Sequence, residues 1–391
     1  MSPLARERSA PIRYESLIGA SGKRAVTGWV APSVASRDRR LKPTQGGSLE
    51  TPSDSATGQA PLPMRLPLYH RQGSIVLLDD APDYLELLVP ALPSQWNVET
   101  FLSAQSCLNY LQQEPPKWER DWWAQQQIVD AWRGGEPIIP HILQYWRDNP
   151  GRFGLTKVCV ADHLMPGMTG LEMLEELVDW PGQRMLVTGE FDAALANTAF
   201  NRGVIDYFLP KQSDHIGSRL TVAVQTLMNR PDARSHQIWS ATLSEQQWSL
   251  LRDVPVAQDL ADLVSNTFVE WAVIGKPFGI IGLSASGLAS WLQLQPTSGL
   301  GELAEVARRY GASPEDIAHI RAGRCVHDAQ LRAQLGNGSA ASATPAFYVG
   351  DSGTLLAGIH RITEIASPVA FSYSNWLRNQ ARRRAENQSR F

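Results

Sequence analysis

Cysteine is scarce in this chain: three residues in 391, at Cys107, Cys159 and Cys325. Three thiols so widely spaced build neither a disulfide framework nor a zinc knuckle, and no Cys-x-x-Cys pair supports dithiol redox chemistry. Long apolar runs are absent as well. No stretch reaches the roughly 20 residues that a bilayer-spanning helix needs, and the opening MSPLARERSAPIRYES lacks the apolar core of a secretory signal. Excess charge of one sign is missing too. The 36 Lys and Arg against 39 Asp and Glu leave a net −3, which gives no general bias towards nucleic acid. Together these absences predict a cytoplasmic protein whose Cys107 and Cys159, both in apolar contexts, are packed thiols. Hydrophobic residues at 43% exclude wholesale disorder. The length suits two domains, each with its own core.

Sustained periodicity is also missing from residues 1–70, which are rich in Ser, Pro, Gly and Arg. That stretch reads as a disordered leader. It carries a basic cluster at Arg37, Arg39 and Arg40 and one short docking candidate around Trp29.

What is present is a series of short apolar strands, each ending on a reactive side chain. SIVLLDD ends at Asp79 and Asp80, KVCVAD at Asp162, RMLVT at Thr188, and VIDYFLP just before Lys211. An open parallel sheet places its ligand site at the carboxyl ends of its strands. Three carboxylates, a hydroxyl and an ammonium are therefore expected in one small cup. Clustered carboxylates repel one another unless a cation sits among them, and Mg²⁺ suits a site with a few carboxylates and room for phosphate oxygens. A carboxylate also serves as a nucleophile that holds a phosphoryl group.

An acid pair, a lone acid, a hydroxyl residue and a lysine at strand ends, in this order, resemble the receiver domain of two-component response regulators. VCVADHLMPGMTGLEML adds Pro166 and Gly170 at the family's places after the phosphoacceptor, and MLVTGE adds the small Gly189 after the hydroxyl residue. The resemblance spans about residues 73–228. It implies a flavodoxin-like, CheY-like doubly wound α/β sheet of five parallel strands. By the same resemblance Asp162 is the phosphoacceptor, while Asp79, Asp80, Asp162 and the main-chain carbonyl of Leu164 hold Mg²⁺. Lys211 and Thr188 serve the phosphoryl group, and Thr188 and Phe208 form the switch. The sequence departs from the family at the lysine, where Pro210 precedes Lys211 and Gln212 follows it. The resemblance also implies that Leu164 and Glu190, each two residues past a site residue, flank the path of attacking water, which leaves the phosphoryl lifetime open. FNRGVIDYFLPKQ resembles a proteobacterial subgroup of these regulators with a long insertion and an uncharacterised C-terminal region.

That insertion, residues 113–156, far exceeds an ordinary connection. WERDWWAQQQIVDAWRGG and PHILQYWRDNP carry apolar residues at helical spacing around Gly134 and Gly135, which predicts a helical hairpin beside the second receiver helix. Its Trp118, Trp122, Trp123, Trp132 and Trp146 either pack the hairpin onto the receiver or form a partner surface.

The domain division is thus a leader over 1–70, a receiver over 71–230 and a C-terminal module over 231–391. In the module EWAVIG, FGIIGLS, LASWLQLQ, PAFYVG and LLAGIHRI read as strands among helices, an α+β module with a small antiparallel sheet, loosely similar to a PAS fold. LAEVARRYGASPEDIAHIRAG has a helix-turn-helix outline over 301–323. Its second helix offers Glu315, Asp316 and His319 before Arg321 and Arg324, a poor surface for phosphate. His319, His327 and His360 lack metal-ligand spacing, and the basic tail WLRNQARRRAENQSRF reads as a solvated helix. The expectation is a response regulator phosphorylated by a histidine kinase or phosphotransfer protein, with output by protein interaction and a homodimer allowed. It is not an enzyme beyond its own phosphotransfer and dephosphorylation. The alternatives are a DNA-binding regulator through 301–323, or a non-phosphorylated scaffold whose C-terminal module binds a ligand.

Overall fold

The computed structural model describes residues 66–189, 193–336, 341–363 and 372–388. Trp29, Arg37, Arg39, Arg40 and Glu190 lie outside them, as does the expected leader up to residue 65. The last part of that leader needs correcting. Leu66 and Leu68 are buried, and Tyr69–Arg71 form a strand, β1, because three consecutive buried side chains there complete a sheet built much later in the chain.

A parallel domain follows. The chain runs through β2 (Ser74–Leu78), α1 (Pro82–Leu88), β3 (Asn97–Phe101) and α2 (Ala104–Leu111), then leaves through α3 (Pro115–Arg133) and α4 (Ile138–Asp148). It returns as β4 (Thr156–Asp162), α5 (Gly170–Glu175), β5 (Gln183–Thr188), α6 (Ala193–Asn201), β6 (Tyr207–Pro210) and α7 (Ile216–Met228). The strands pair in parallel in the order β3-β2-β4-β5-β6, the doubly wound order of flavodoxin-like sheets. Every residue of β2 is buried, as expected of a strand covered on both faces. On one face α1 and α7 bring Leu85, Leu88, Leu220 and Val224 against Ile75, Val158 and Met185. On the other, α2, α5 and α6 bring Cys107, Met173 and Ala199 against Val76, Cys159 and Leu186. Cys107 and Cys159 are buried free thiols.

The second body is antiparallel. Three helices lead in: α8 (Ala233–Ser240), α9 (Glu245–Arg252) and α10 (Val254–Thr267). They start where Asp232, Ser244 and Asp253 cap the first free N–H groups, Ser244 in a reciprocal box with Gln247. Then come β7 (Glu270–Gly275), β8 (Phe278–Leu283), β9 (Ala289–Pro296), α11 (Leu300–Arg309), α12 (Pro314–Arg321), β10 (Cys325–His327) and α13 (Ala329–Leu335). The chain closes with β11 (Ala343–Pro345), β12 (Phe347–Val349), β13 (Leu355–Ile362) and α14 (Tyr373–Gln388). The large sheet has the order β1-β7-β8-β9-β13-β12, so its sixth strand comes from ahead of the parallel domain; β10 and β11 form a separate pair.

The insertion is a helical hairpin, but its core partner is not the parallel domain. Trp118, Trp122, Ile128, Val129, Ile142 and Trp146 share one continuous core with Trp239, Trp271, Ile280 and Trp291 of the C-terminal module. Only Trp123 points outward, 65% exposed. Buried ion pairs fasten the same junction. Arg152 donates to both Glu270 oxygens at 2.8 and 3.0 Å, and the Tyr69 hydroxyl donates to Glu270 at 2.8 Å. Arg71 and the Tyr145 hydroxyl bond Asp121. The tail is not merely solvated either: Tyr373 is buried, its hydroxyl donates to the Gln95 carbonyl at 2.8 Å, and Arg384 pairs with Glu99 and Asn97 on β3.

The chain therefore passes between the two bodies before β2, after α2, before β4 and after α7. Strand beginnings and helix ends lie together in a doubly wound sheet, so all four crossings sit opposite the strands' carboxyl ends. Two side chains pin them. Buried Glu114 accepts the Thr156 N–H at 3.1 Å, the Thr156 hydroxyl at 2.8 Å and the Trp180 indole N–H at 3.0 Å. Lys157 Nζ donates to the carbonyls of Met228 at 2.6 Å and Arg71 at 3.3 Å.

Candidate functional site

At the other end of the parallel sheet, β2, β4, β5 and β6 deliver the predicted residues side by side. Asp162 ends β4, and Val187 pairs with it in the ladder, so Thr188 lies one residue beyond on β5. Asp79 follows β2 and is buried; its backbone N–H donates to the Phe101 carbonyl at 3.1 Å, which anchors the strand end to β3. Asp80 is exposed. One carboxylate oxygen from each of Asp79, Asp80 and Asp162 lies within 4.8 Å of the others, the one group of this kind among the described residues.

Lys211 joins the acids. Its Nζ sits 2.7 Å from Asp79 Oδ2 and 2.9 Å from Asp162 Oδ2. The Pro210–Lys211 order, a departure in sequence, has a plain cause. Pro210 pairs with Thr188 on β6, an edge strand where a missing N–H is tolerated, and the Lys211 N–H then donates to the Thr188 carbonyl at 2.7 Å. The ladder thus carries on through the proline and aims the next side chain into the cup.

Electrostatics follow from the burial. Desolvation raises the Asp162 pKa above the ordinary carboxyl value; Asp79 adds to the rise, and Lys211 opposes it. Burial works against the Lys211 ammonium, but its hydrogen bonds to Asp79 and Asp162 outweigh that and raise its pKa. The second Asp79 oxygen accepts the Ala81 N–H at 3.0 Å, whereas Asp162 Oδ1 is buried with no hydrogen-bond partner. An unsatisfied carboxylate oxygen beside two more acids is a donor set that fits a hard divalent cation.

The surroundings explain several sequence signals. Gly170 starts α5 directly over β4; a Cβ there would lie 1.9 Å from the Asp162 carbonyl oxygen, so only glycine allows the approach. Thr169 caps α5 in a reciprocal box with Glu172. Leu164, in the loop before it, is 51% exposed. Phe208 pairs with Leu186 and packs, part-buried, on the α2–α5–α6 side. Sequence reasoning passed over Tyr84, whose ring centroid lies 4.5 Å from Lys211 Nζ. Its place as the third residue of α1 was open to view, but nothing in the sequence told which way the ring faces.

The histidines stay apart from this site. His360 Nε2 meets Gln293 Oε1 at 2.9 Å and His327 Nδ1 accepts the Ala329 N–H at 3.3 Å, both within the C-terminal module. Desolvation lowers the pKa of both, that of His360 to about 4.

No protein-family model matches the chain, and no curated protein matches it. Solved structures do. The response regulator LqsR of Legionella pneumophila superimposes with a TM-score of 0.60 at 20% identity, covering 81% of this chain and 97% of its own. A CheY-like response regulator receiver domain protein from Methanospirillum hungatei matches at 15% identity over 40% of this chain and 94% of its own, with a TM-score of 0.26. This chain has the fold of the Legionella response regulator: a flavodoxin-like, doubly wound parallel domain joined to a C-terminal α/β region. No helix among the described residues is long and apolar enough to cross a membrane.

Proposed function

We propose that the chain is a two-component response regulator that accepts a phosphoryl group on Asp162 from a histidine kinase or phosphotransfer protein. The observation that carries this reading is the cup itself, three carboxylates within 4.8 Å with Lys211 bridging two of them. Asp79, Asp80 and Asp162 would hold Mg²⁺, with the Leu164 main-chain carbonyl as a further ligand. Bound there, the ion supplies charge neutralisation between the acids and the incoming phosphate oxygens. An Asp162 carboxylate oxygen attacks phosphorus, the bond to the donor's imidazole nitrogen breaks, and the electron pair leaves with that nitrogen. Lys211 moves from the carboxylates to a phosphoryl oxygen, and the Thr188 hydroxyl donates to another. Thr188 and Phe208 then shift together, biasing the α6–β6 face between two states. The chain acts on no substrate beyond its own phosphorylation and dephosphorylation, and we place it in the cytoplasm.

Output by protein contact is favoured over DNA binding because two of the arginines in the 301–323 segment, Arg308 and Arg321, are engaged. Arg308 and Arg321 both pair with Glu305, at 3.0 Å for Arg321, and Glu315 and Asp316 occupy the first turn of α12. The test is incubation of the full chain with Mg²⁺ and acetyl phosphate, resolved on a phosphate-affinity gel. A retarded band in wild type that needs Mg²⁺ and vanishes in Asp162→Asn is the expected result. No retarded band from folded protein would leave the scaffold reading in its place.

A further inference from the structure

An ammonium has three N–H donors. Two of those on Lys211 go to Asp79 and Asp162, at 2.7 and 2.9 Å. The face of Tyr84 lies 4.5 Å from Nζ, measured to the ring centroid, inside the range of an effective cation–π contact. Tyr84 is the third residue of α1 and packs part-buried beside the α1–α7 core. Its hydroxyl is buried and makes no hydrogen bond, so what the residue offers the site is the ring alone. Lys211 itself keeps 21% side-chain exposure on a flexible four-carbon stem. Among the described residues no other side chain pairs with the ammonium.

We propose that Tyr84 is a positioning residue for Lys211, a fixed aromatic face that holds the ammonium at the mouth of the cup while it exchanges carboxylate partners for a phosphoryl oxygen. The proposal rests on the phosphoacceptor reading above. In the resting site the ring completes the ammonium's three partners. In the loaded site Asp79 and Asp162 are engaged with the cation and the phosphoryl group, and the ring is the one partner Lys211 keeps. Without the ring Lys211 is free to swing to solvent, and the phosphoryl oxygen loses part of its counter-charge.

The experiment measures binding by calorimetry to the full chain, first of Mg²⁺ alone and then of beryllofluoride with Mg²⁺ present. Beryllofluoride takes the place of the phosphoryl group without turnover. The variants are Tyr84→Phe, Tyr84→Met, Lys211→Met and the Tyr84→Met/Lys211→Met double. Tyr84→Met is expected to weaken beryllofluoride about three- to tenfold, the size of a partly desolvated cation–π contact, and to leave Mg²⁺ within about twofold. Tyr84→Phe keeps the ring and should bind like wild type. Added to Lys211→Met, the Tyr84 change should cost nothing further, since its effect passes through the lysine. Tyr84→Leu takes the place of Tyr84→Met if that variant loses its thermal transition. Equal beryllofluoride affinity in wild type and Tyr84→Met overturns the proposal. So does a Tyr84→Phe loss as large as that of Tyr84→Met, or an undiminished effect in the Lys211→Met background. Wild type that binds neither Mg²⁺ nor beryllofluoride overturns the phosphoacceptor reading, and the positioning role with it.

Discussion

Asp162 holds its charge against its surroundings. Its side chain is buried, Asp79 lies beside it, and one of its oxygens has no hydrogen-bond partner, so its pKa is raised despite Lys211. A carboxyl whose folded pKa exceeds its unfolded value stabilises the fold when protonated, and that contribution is lost as pH rises through the folded pKa. At neutral pH the ionised form therefore weighs against folding. Asp162→Asn, neutral at every pH, is expected to unfold at a higher temperature than wild type at pH 7 in the absence of metal. The gap should close as pH falls below the ordinary carboxyl value of about 3.9, where wild type is protonated both folded and unfolded. Thermal scans of both proteins across that range check it, and a lower midpoint for the variant at pH 7 would contradict it. The acids and Lys211 were legible in the sequence because each closes an apolar run. Tyr84 was not, because an aromatic at helical spacing looks the same whether it faces a core or a cation.

At the scale of elements, the junction depends on charges placed where the surrounding core is apolar. Arg152, from the turn after α4, and Glu270, at the start of β7, are both essentially inaccessible and lie 2.7 Å apart at their closest. Removing one partner leaves the other charge buried and unpaired, whereas removing both need not. Glu270→Met is expected to destabilise the chain by about 3–5 kcal/mol in urea unfolding, and Arg152→Met/Glu270→Met by clearly less. A double-variant loss equal to the sum of the Arg152→Met and Glu270→Met losses would show that the pair is not coupled. The parallel strands were legible as continuous apolar runs, and the α3–α4 hairpin as two amphipathic segments with a Gly-Gly stop. The partner of that hairpin was not legible. Trp118 and Trp122 announce an apolar helix face, but periodicity carries no address, and the face they bury against is built by residues more than a hundred positions later. β1 was hidden for a similar reason: YHR is too short to stand out, and its strand state is imposed by pairing with Glu270–Ala272.

For the whole molecule, the consequence is that the C-terminal module is not a detachable output domain. Its core takes Trp118, Trp122, Ile128, Val129, Ile138, Ile139, Ile142 and Trp146 from the insertion, and its edge strand from ahead of the parallel domain. Large apolar side chains contribute about 1.5–3 kcal/mol each when buried, so the joint loss of these eight, about 12–24 kcal/mol, is comparable to or larger than the roughly 5–15 kcal/mol that holds an ordinary domain folded. A fragment of residues 232–391 is therefore expected to lack a cooperative thermal transition and a near-ultraviolet tryptophan signal. The full chain with 115–154 replaced by a short glycine-serine loop should lose the module and keep the parallel domain, whose two apolar layers draw on none of the excised residues. Circular dichroism and amide-resolved NMR of both distinguish the cases, and a dispersed spectrum from the fragment would mean that the insertion only decorates a self-sufficient module. If the module does need the insertion, the phosphoryl signal proposed above would have no flexible tether to act through. All four chain crossings lie at the opposite end of the sheet from Asp162, pinned by Glu114 and Lys157, so the proposed shift at the α6–β6 face would reach the module through packed strands or be read there directly by a partner.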